Sequence, residues 1–283
     1  MNLDAPLDLD AWFASQQSPA TPFSGQLDPA FQAALAAHFA TVTEAQCVFY
    51  HTVELPGGRT ISGEWDFREY EDTYLGGFAF TGKRVIEYGP ATGWISAHIA
   101  ARAQMLTVFD LPIGVGHDPV PDLMSEPPEA FARSAATHTD RQRNSWWLVR
   151  NAFGFQANAV YGDIFDPPAD LGRYDVAMFG CILLHLMHPY RALQRAAEIT
   201  DEAIIVADLA LAPRVGEFDA NRSSLLFSPS PPPNGVVHWW YLTPLAVSNM
   251  LTSLGFPQIT VTTHRPPRMP NAPLLYTVVA RRA

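Results

Sequence analysis

From residue 81 onward, short apolar runs alternate with longer amphipathic stretches. Such runs predict strands and such stretches predict helices, and their alternation is typical of βαβ units around a mostly parallel sheet. Seven strands are predicted at 84–88, 105–109, 157–161, 175–179, 203–207, 258–263 and 274–280. Four helices are predicted between them at 93–103, 145–153, 189–199 and 243–254. The pattern therefore predicts an α/β fold with a doubly wound sheet over residues 81–283.

The first 80 residues follow a different pattern, which predicts an extension outside the sheet. Residues 28–43 are expected to form a helix, with Asp28 as its N-cap and Pro29 at its first helical position. Two apolar and aromatic runs then flank a Pro-Gly-Gly turn at 56–58. Glycines between two such runs indicate a β-hairpin. We expect this extension, over 1–80, to form a substrate-binding or lid region.

Residues 209–241 are predicted to be an insertion between the fifth strand and the last helix. The segment contains a proline-rich run at 228–235 and then the aromatic run His-Trp-Trp-Tyr at 238–241. Long connections in compact domains are usually functional or disordered, and this aromatic content argues against disorder. We expect a lid, in which the prolines stiffen the loop rather than dock to a peptide partner.

Composition and charge exclude several classes of protein. The formal net charge is -10 and Lys83 is the single lysine. Because basic side chains supply most of the affinity for nucleic acid, a nucleic-acid partner is not expected. Cys47 and Cys181 lie far apart without Cys-x-x-Cys spacing, so neither a disulfide framework nor a zinc site is predicted. With no apolar run of about 18 residues and no signal-like N-terminus, we expect a cytoplasmic monomer or homodimer without a membrane span.

The strongest motif is the run Val85-Ile-Glu-Tyr-Gly-Pro-Ala-Thr-Gly-Trp94, in which a strand opens through a glycine turn into a helix. Gly89 permits a sharp turn, and Gly93 lets a ligand or a neighbouring strand approach the first turn of the helix. The Gly-x-x-x-Gly spacing, with Pro90 between the glycines, differs from the Gly-x-Gly-x-x-Gly that seats a pyrophosphate. A carboxylate at Glu87 would also repel a pyrophosphate, but it suits a ligand with an ammonium and a sulfonium group.

Two further acids follow the next two predicted strands. Asp110 lies about twenty residues after the glycine turn, where an acid can accept hydrogen bonds from both ribose hydroxyls. Asp163 follows the third strand, where it can receive the amino group of adenine while Ile164 packs on the ring. Because open α/β sheets bind ligands at the carboxyl ends of their strands, the three acids predict a nucleoside site. The predicted cofactor-binding set is completed by Tyr88, Pro90, Leu111, Phe179 and Gly180.

The motifs Glu87-x-Gly89-x-x-x-Gly93, Asp110 and Gly162-Asp163 resemble those of the class I S-adenosylmethionine-dependent methyltransferases. The resemblance covers residues 80–283. It implies a seven-stranded Rossmann-like sheet with a reversed last hairpin, S-adenosylmethionine as cofactor and S-adenosylhomocysteine as product. Together with the acidic charge, it predicts methyl transfer to a small-molecule acceptor.

Four further runs are similar to one branch of that family, the wobble-uridine carboxymethyltransferases of tRNA. The runs are His51-Thr-Val-Glu-Leu-Pro-Gly-Gly58, Gly63-Glu-Trp-Asp66, Ser145-Trp-Trp-Leu148 and Phe179-Gly-Cys-Ile-Leu-Leu-His-Leu186. Enzymes of that branch use a carboxylated cofactor and bind tRNA through a basic surface. A tRNA-modifying enzyme is therefore one alternative. A nicotinamide-dependent oxidoreductase on the same sheet is a second alternative, and a binding protein without activity is a third.

The acceptor side of the predicted site is defined less sharply. His185 follows the fourth strand, near where the methyl group emerges in this family, and an imidazole there can take a proton from the acceptor. A packed structural histidine fits equally well, and Glu54 and His238 are reserve candidates. His185 and His188 have no third ligand beside them, so no metal is predicted. Aromatic faces attract cations, and the candidate acceptor walls are Tyr50, Trp65, Trp146, His238 and Trp239.

Overall fold

The computed structural model describes residues 24–117, 127–212, 216–217, 221–227 and 238–283. In chain order its helices and strands are α1 (Pro29–His38), β1 (Val53–Glu54), β2 (Thr60–Ile61), α2 (Glu71–Tyr74), β3 (Arg84–Tyr88), α3 (Trp94–Ala100), β4 (Met105–Asp110), α4 (Pro128–Phe153), β5 (Asn158–Tyr161), β6 (Tyr174–Gly180), α5 (Pro189–Ile199), β7 (Thr200–Leu209), β8 (Leu211–Ala212), β9 (Gly216–Glu217), β10 (Leu225–Phe227), β11 (Trp240–Leu242), α6 (Pro244–Ser253), β12 (Gln258–His264) and β13 (Leu275–Arg281). Short 3₁₀ turns occur at Phe39–Thr41, Glu44–Gln46 and Leu183–His185.

Seven strands form the main sheet, in the order β12-β13-β7-β6-β3-β4-β5. The five strands from β3 to β7 are parallel neighbours, whereas β13 pairs antiparallel with both β7 and β12. The predicted doubly wound sheet with a reversed last hairpin is therefore confirmed. The strand order reverses at β3: β4 and β5 lie on one side of it, and β6 and β7 lie on the other. Open α/β sheets form their ligand crevice at such a switch point.

Hydrophobic side chains pack on both faces of this sheet. Along β3, Val85 belongs to one buried cluster and the next residue, Ile86, belongs to the other. Side chains of successive strand residues point to opposite faces, so a strand that is covered on both faces is apolar throughout. This double coverage explains why the sequence shows continuous apolar runs rather than alternating ones.

The strands lie where the sequence predicts them, with ends that differ by at most three residues. The predicted helix caps are also confirmed. The Asp28 carboxylate accepts a hydrogen bond from the Ala30 N–H at 2.7 Å, and the Thr243 hydroxyl accepts one from the Ala246 N–H at 3.2 Å. Each cap satisfies a backbone donor that the first helical turn leaves unpaired.

The predicted helix at 145–153 is wrong at its start, because α4 begins at Pro128. Residues 128–144 are mostly polar, and only Thr139 and Arg143 among them are buried. This half of α4 therefore has no apolar stripe from which its period could be read. The helix forms because alanine, arginine and glutamine have high intrinsic helix propensity. The predicted helix at 93–103 is also too long, since α3 ends at Ala100.

The N-terminal extension covers the edge of the sheet beside β5. The Gln26 side chain donates to the Tyr161 carbonyl at 2.8 Å and accepts from the Tyr161 N–H at 2.9 Å. Gln32 forms the same pair of bonds with Ala159, both at 2.8 Å. These amides satisfy backbone groups that an open edge strand would expose. The predicted hairpin is confirmed, with Val53 opposite Ile61.

The described parts of the predicted insertion form two small antiparallel pairs, β8 with β9 and β10 with β11. The proline-rich run at 228–235 lies outside the described residues. Among the helices of the described ranges, none combines the length and the apolar character that crossing a bilayer requires.

Candidate functional site

The glycine turn after β3 has three residues in the left-handed region of backbone space, one of which is Ala91 with φ +47°. Gly89 has φ +67° and Gly93, the N-cap of α3, has φ +83°. A Cβ at Gly89 would lie 2.5 Å from Cγ2 of Ile182, and one at Gly93 would lie 2.8 Å from Cδ1 of Trp146. From the sequence, either a ligand or a neighbouring strand could approach Gly93. In the structure the group that approaches Gly93 is Trp146, a side chain of α4. Both glycines are therefore needed for their conformation and for packing of the protein against itself.

Glu87 lies under this turn, and its side chain is buried. The Ser96 hydroxyl donates to Oε2 of Glu87 at 2.5 Å, and the Trp146 indole N–H donates to Oγ of Ser96 at 3.0 Å. Burial raises the pKa of Glu87 from 4.5 to about 7, and the nearby Asp110 charge contributes in the same direction. A cationic ligand beside Glu87 would favour its ionised form.

Asp110 ends β4, the neighbour of β3 in the sheet. The Leu111 N–H donates to Oδ1 of Asp110 at 2.9 Å, and the Gly162 N–H donates to its carbonyl at 3.0 Å. Burial raises the pKa of Asp110, and the positive charge of Arg143 opposes that effect. The carboxylate is thus held at the strand tip next to Glu87, where the sequence predicts ribose binding.

Asp163 lies two residues beyond the end of β5 and is exposed. Its Oδ1 accepts a hydrogen bond from the Phe165 N–H at 2.8 Å, which fixes the side chain within a turn. Ile164 is partly buried against the hydrophobic cluster on one face of the sheet. Since β3, β4 and β5 are consecutive in the sheet, the three predicted acids lie at the tips of adjacent strands.

Several predicted cofactor contacts have side chains that point into the core. Tyr88 and Phe179 are buried and stack with ring centroids 4.6 Å apart. Pro90 is also buried, and a Cβ at Gly180 would lie 2.8 Å from the Tyr74 hydroxyl oxygen. Any contact of Tyr88 or Phe179 with a ligand must therefore come from the backbone. Their roles in cofactor binding stay predictions.

Two of the predicted acceptor walls, Tyr50 and Trp65, lie together beside the glycine turn. The Trp65 N–H donates to the Tyr50 carbonyl at 2.9 Å, and the two side chains are also hydrogen-bonded. The N–H groups of Tyr50 and His51 both donate to Oγ1 of Thr92, at 2.8 and 2.9 Å. Thr92 belongs to the turn itself, so the N-terminal extension is attached directly to the predicted cofactor loop.

His185 and His238 also come together, with a third histidine that the sequence did not indicate. The ring of His185 stacks on that of His117 at 4.9 Å and lies 4.8 Å from that of His238. Burial, with smaller contributions from His138 and His238, lowers the pKa of His117 to about 4, and burial lowers the pKa of His238. Imidazoles held neutral in this way can accept protons or hydrogen bonds. The one sequence feature that could have indicated His117 as a site residue is its position in the loop after Asp110.

The two remaining predicted walls are buried. Trp146 is packed beneath Gly93 and bonded to Ser96, so its side chain belongs to the support of the turn. Trp239 is 8% exposed, and its N–H donates to the Leu184 carbonyl at 2.8 Å. Trp239 therefore connects the last part of the insertion to the 3₁₀ turn that carries His185.

Asp208, near the end of β7, is a buried acid that the sequence analysis missed. The Leu209 N–H donates to its Oδ1 at 2.7 Å, and the Leu184 N–H faces the same carboxyl group. Burial raises the pKa of Asp208 from 3.8 to about 7. Tyr276 lies opposite Asp208, on the neighbouring strand β13. In the described part of the chain, neither Oδ2 of Asp208 nor the Tyr276 hydroxyl has a hydrogen-bond partner. The strand-tip rule that identified Asp110 could have found it.

No cluster of three or more His, Cys, Asp or Glu side chains in the described ranges is suited to hold a metal ion. The three-histidine group is included in this statement. Its rings stack or tilt against one another.

No protein-family model and no curated protein matches this sequence. Solved structures share its fold at low identity. The N-terminal domain of EvdMO1 with SAH (S-adenosylhomocysteine) bound has a TM-score of 0.54 and 17% identity, over 89% of this chain and 96% of that one. The same domain in the presence of SAH and D-fucose has a TM-score of 0.54 and 18% identity, over 92% and 100%. The Burkholderia thailandensis 1,6-didemethyltoxoflavin-N1-methyltransferase has a TM-score of 0.49 and 15% identity, over 99% and 93%. The fold is the methyltransferase type of Rossmann-like sheet that the sequence predicted.

Proposed function

We propose that this protein is an S-adenosylmethionine-dependent methyltransferase that acts on a small-molecule acceptor. The observation that carries the proposal is the row of carboxylates at the tips of adjacent parallel strands, beside a glycine turn with little capacity for phosphate. Glu87, Asp110 and Asp163 form this row. The bound SAH in the EvdMO1 domain, which has the same fold, is consistent with this assignment.

The residues at the strand tips fit the groups of S-adenosylmethionine. Asp110 would accept hydrogen bonds from the ribose diol, and Asp163 from the adenine amino group. Glu87 offers negative charge to the cationic amino-acid end, which would lower its raised pKa toward the ionised state. When bound, S-adenosylmethionine supplies a methyl carbon that its sulfonium sulfur activates for transfer.

The acceptor would bind between the Tyr50 and Trp65 pair and the three histidines, with the segment at His238 and Trp239 completing the site. His185 is the proposed proton acceptor for an acceptor hydroxyl or ammonium group. His117 and His238 lie beside it, and burial lowers the pKa of both. Holding the acceptor in line and excluding water are the other tasks of these walls.

Isothermal titration calorimetry of the full chain with SAH, S-adenosylmethionine and NAD tests the proposal. We expect saturable binding of the first two ligands and none of the third. Asp110→Ala should weaken SAH binding, whereas Asp166→Ala, which removes an exposed carboxylate near Asp163, should leave it unchanged. NAD binding without SAH binding would overturn the assignment in favour of an oxidoreductase.

The acceptor class needs a separate measurement. Conversion of S-adenosylmethionine to SAH can be followed with fractionated cellular metabolites and, in parallel, with bulk tRNA. We expect turnover with a small-molecule fraction, since a net charge of -10 is unfavourable for a polyanion. Salt-sensitive tRNA binding accompanied by turnover would instead favour the wobble-uridine branch that the sequence resembles.

A further inference from the structure

A buried arginine of α4, Arg143, contacts the loop that follows the predicted ribose-binding strand. Its side chain is 2% exposed. The guanidinium donates to the Leu111 carbonyl at 2.9 Å and to the Pro112 carbonyl at 3.3 Å. A charged donor buried against two carbonyls is a strong contact, and its loss would leave both acceptors unsatisfied. The backbone just after Asp110 is thus fixed from beneath by one side chain.

Asp140, one helical turn before Arg143 on α4, extends the same contact. It forms an ion pair with Arg143, and its Oδ1 also accepts a hydrogen bond from the Gly114 N–H at 3.1 Å. The guanidinium also lies over the ring of Tyr161, 4.9 Å from its centroid. Tyr161 ends β5 and is the register partner of Asp110. Arg143 and Asp140 therefore connect the ends of two neighbouring strands to the loop between β4 and α4.

Residues 116–117 of this loop are also held against α4. A Cβ at Gly116 would lie 2.4 Å from Cβ of Ala135 and 2.6 Å from its carbonyl carbon, so the loop backbone lies directly on the helix. The next residue, His117, stacks on His185. Residues 111–117 are consequently held along their length by α4, from the ribose side of the site to the histidine cluster.

Arg143 is also a source of positive charge for Asp110. Asp110 faces Glu87 from β3, Asp140 and Arg143 from α4, and Tyr161 from β5. The tyrosine stays neutral, because burial raises its pKa well above the physiological range. Glu87 and Asp140 both disfavour the Asp110 carboxylate, so only Arg143 among these groups supports its charge.

We propose that Arg143 and Asp140 are a positioning pair that holds the loop at 111–114, and that the Arg143 guanidinium supports the Asp110 carboxylate for ribose binding. This inference rests on the proposed function. Arg143 does not touch the ligand in this assignment. It acts through Asp110 and through the loop backbone, so its loss should change both the strength and the pH dependence of cofactor binding.

Calorimetric titration with SAH at about pH 6 and about pH 8.5 tests the pair on the full chain. Arg143→Met should weaken binding roughly tenfold at the higher pH, the effect of one charged hydrogen bond. A further loss should appear at the lower pH, because the Asp110 carboxylate is protonated more readily without the guanidinium. Arg143→Lys keeps the charge but cannot reach all its partners, so we expect weaker binding with the wild-type pH profile.

Two controls separate this role from a general effect on folding. Arg133→Met removes an exposed guanidinium from the same helix and should change neither affinity nor pH profile. Asp140→Asn, at a half-exposed position, tests the pair without removing the buried cation; weaker SAH binding is expected. Equal loss of affinity at both pH values in Arg143→Met, or no loss, would overturn the inference. Failure of the wild-type chain to bind SAH would overturn the proposed function first, and the inference with it.

Discussion

Glutamine in place of Glu87 is expected to stabilise the protein without ligand and to weaken its binding of SAH. The side chain is buried, and within the described part of the chain its hydrogen-bond donor is the Ser96 hydroxyl. Glutamine keeps an oxygen for that hydroxyl and has nearly the same volume, so no cavity forms. What disappears is the cost of ionising a carboxyl group in a buried site.

The magnitude follows from the pKa of Glu87, which burial raises from 4.5 to about 7. The difference of about 2.5, at about 1.4 kcal/mol per pKa unit, gives about 3 kcal/mol. Because the folded-state pKa is the higher one, Glu87 contributes its full stability below pH 4.5 and loses it as pH rises to about 7. The stability advantage of Glu87→Gln over wild type should therefore grow by about 3 kcal/mol between about pH 4.5 and pH 8.

Urea unfolding of both proteins at a series of pH values measures this difference. Asp163→Asn, at the neighbouring but exposed strand tip, is the matched control and should show no such growth. SAH affinity should fall by roughly tenfold in Glu87→Gln, since the charge facing the ligand is lost. A stability difference that is the same at both ends of the pH range would refute the reasoning. So would unchanged affinity for SAH.

Four other outcomes are expected. Asp208→Asn should gain up to about 4 kcal/mol in unfolding free energy relative to wild type as pH rises from about 4 to 8, because burial raises that pKa from 3.8 to about 7; denaturant titration measures it. Asp110→Ala should cost about 1–3 kcal/mol of SAH binding by calorimetry. His185→Ala should lower kcat more than it raises KM in initial-rate assays with the acceptor fraction, and equal effects would indicate a structural role. Gly93→Ala should lower the free energy of unfolding by about 1–3 kcal/mol, because φ is +83° and the new Cβ meets Trp146.

The parts of the fold that could be predicted from sequence are those with a strong local signal. Strands buried on both faces leave continuous apolar runs, and the caps at Asp28 and Thr243 leave polar residues before prolines. The first half of α4 has neither signal, because it lies at the surface and buries only Thr139 and Arg143 there. Its helical state depends on propensity and on contacts with distant residues, which a pattern of apolar positions does not contain.

The candidate site divides in a similar way. Acids at strand tips could be predicted, since topology alone brings Glu87 and Asp110 together. Contacts between residues far apart in sequence could not be predicted. His117 contacts His185 because the loops after β4 and β6 lie next to each other in the fold. Trp146 was assigned to the acceptor, but its indole is used beneath the glycine turn. Such side-chain directions depend on helix rotation, which the sequence did not give for α4.

Thr92 has a consequence for how the protein would receive its two ligands. One hydroxyl oxygen holds the backbone of Tyr50 and of His51, and the same residue forms part of the bend after β3. The proposed acceptor wall and the proposed cofactor turn are thus joined in one hydrogen-bonded frame. The entropy of ordering that wall is spent when the chain folds, so an arriving acceptor would meet a preorganised surface.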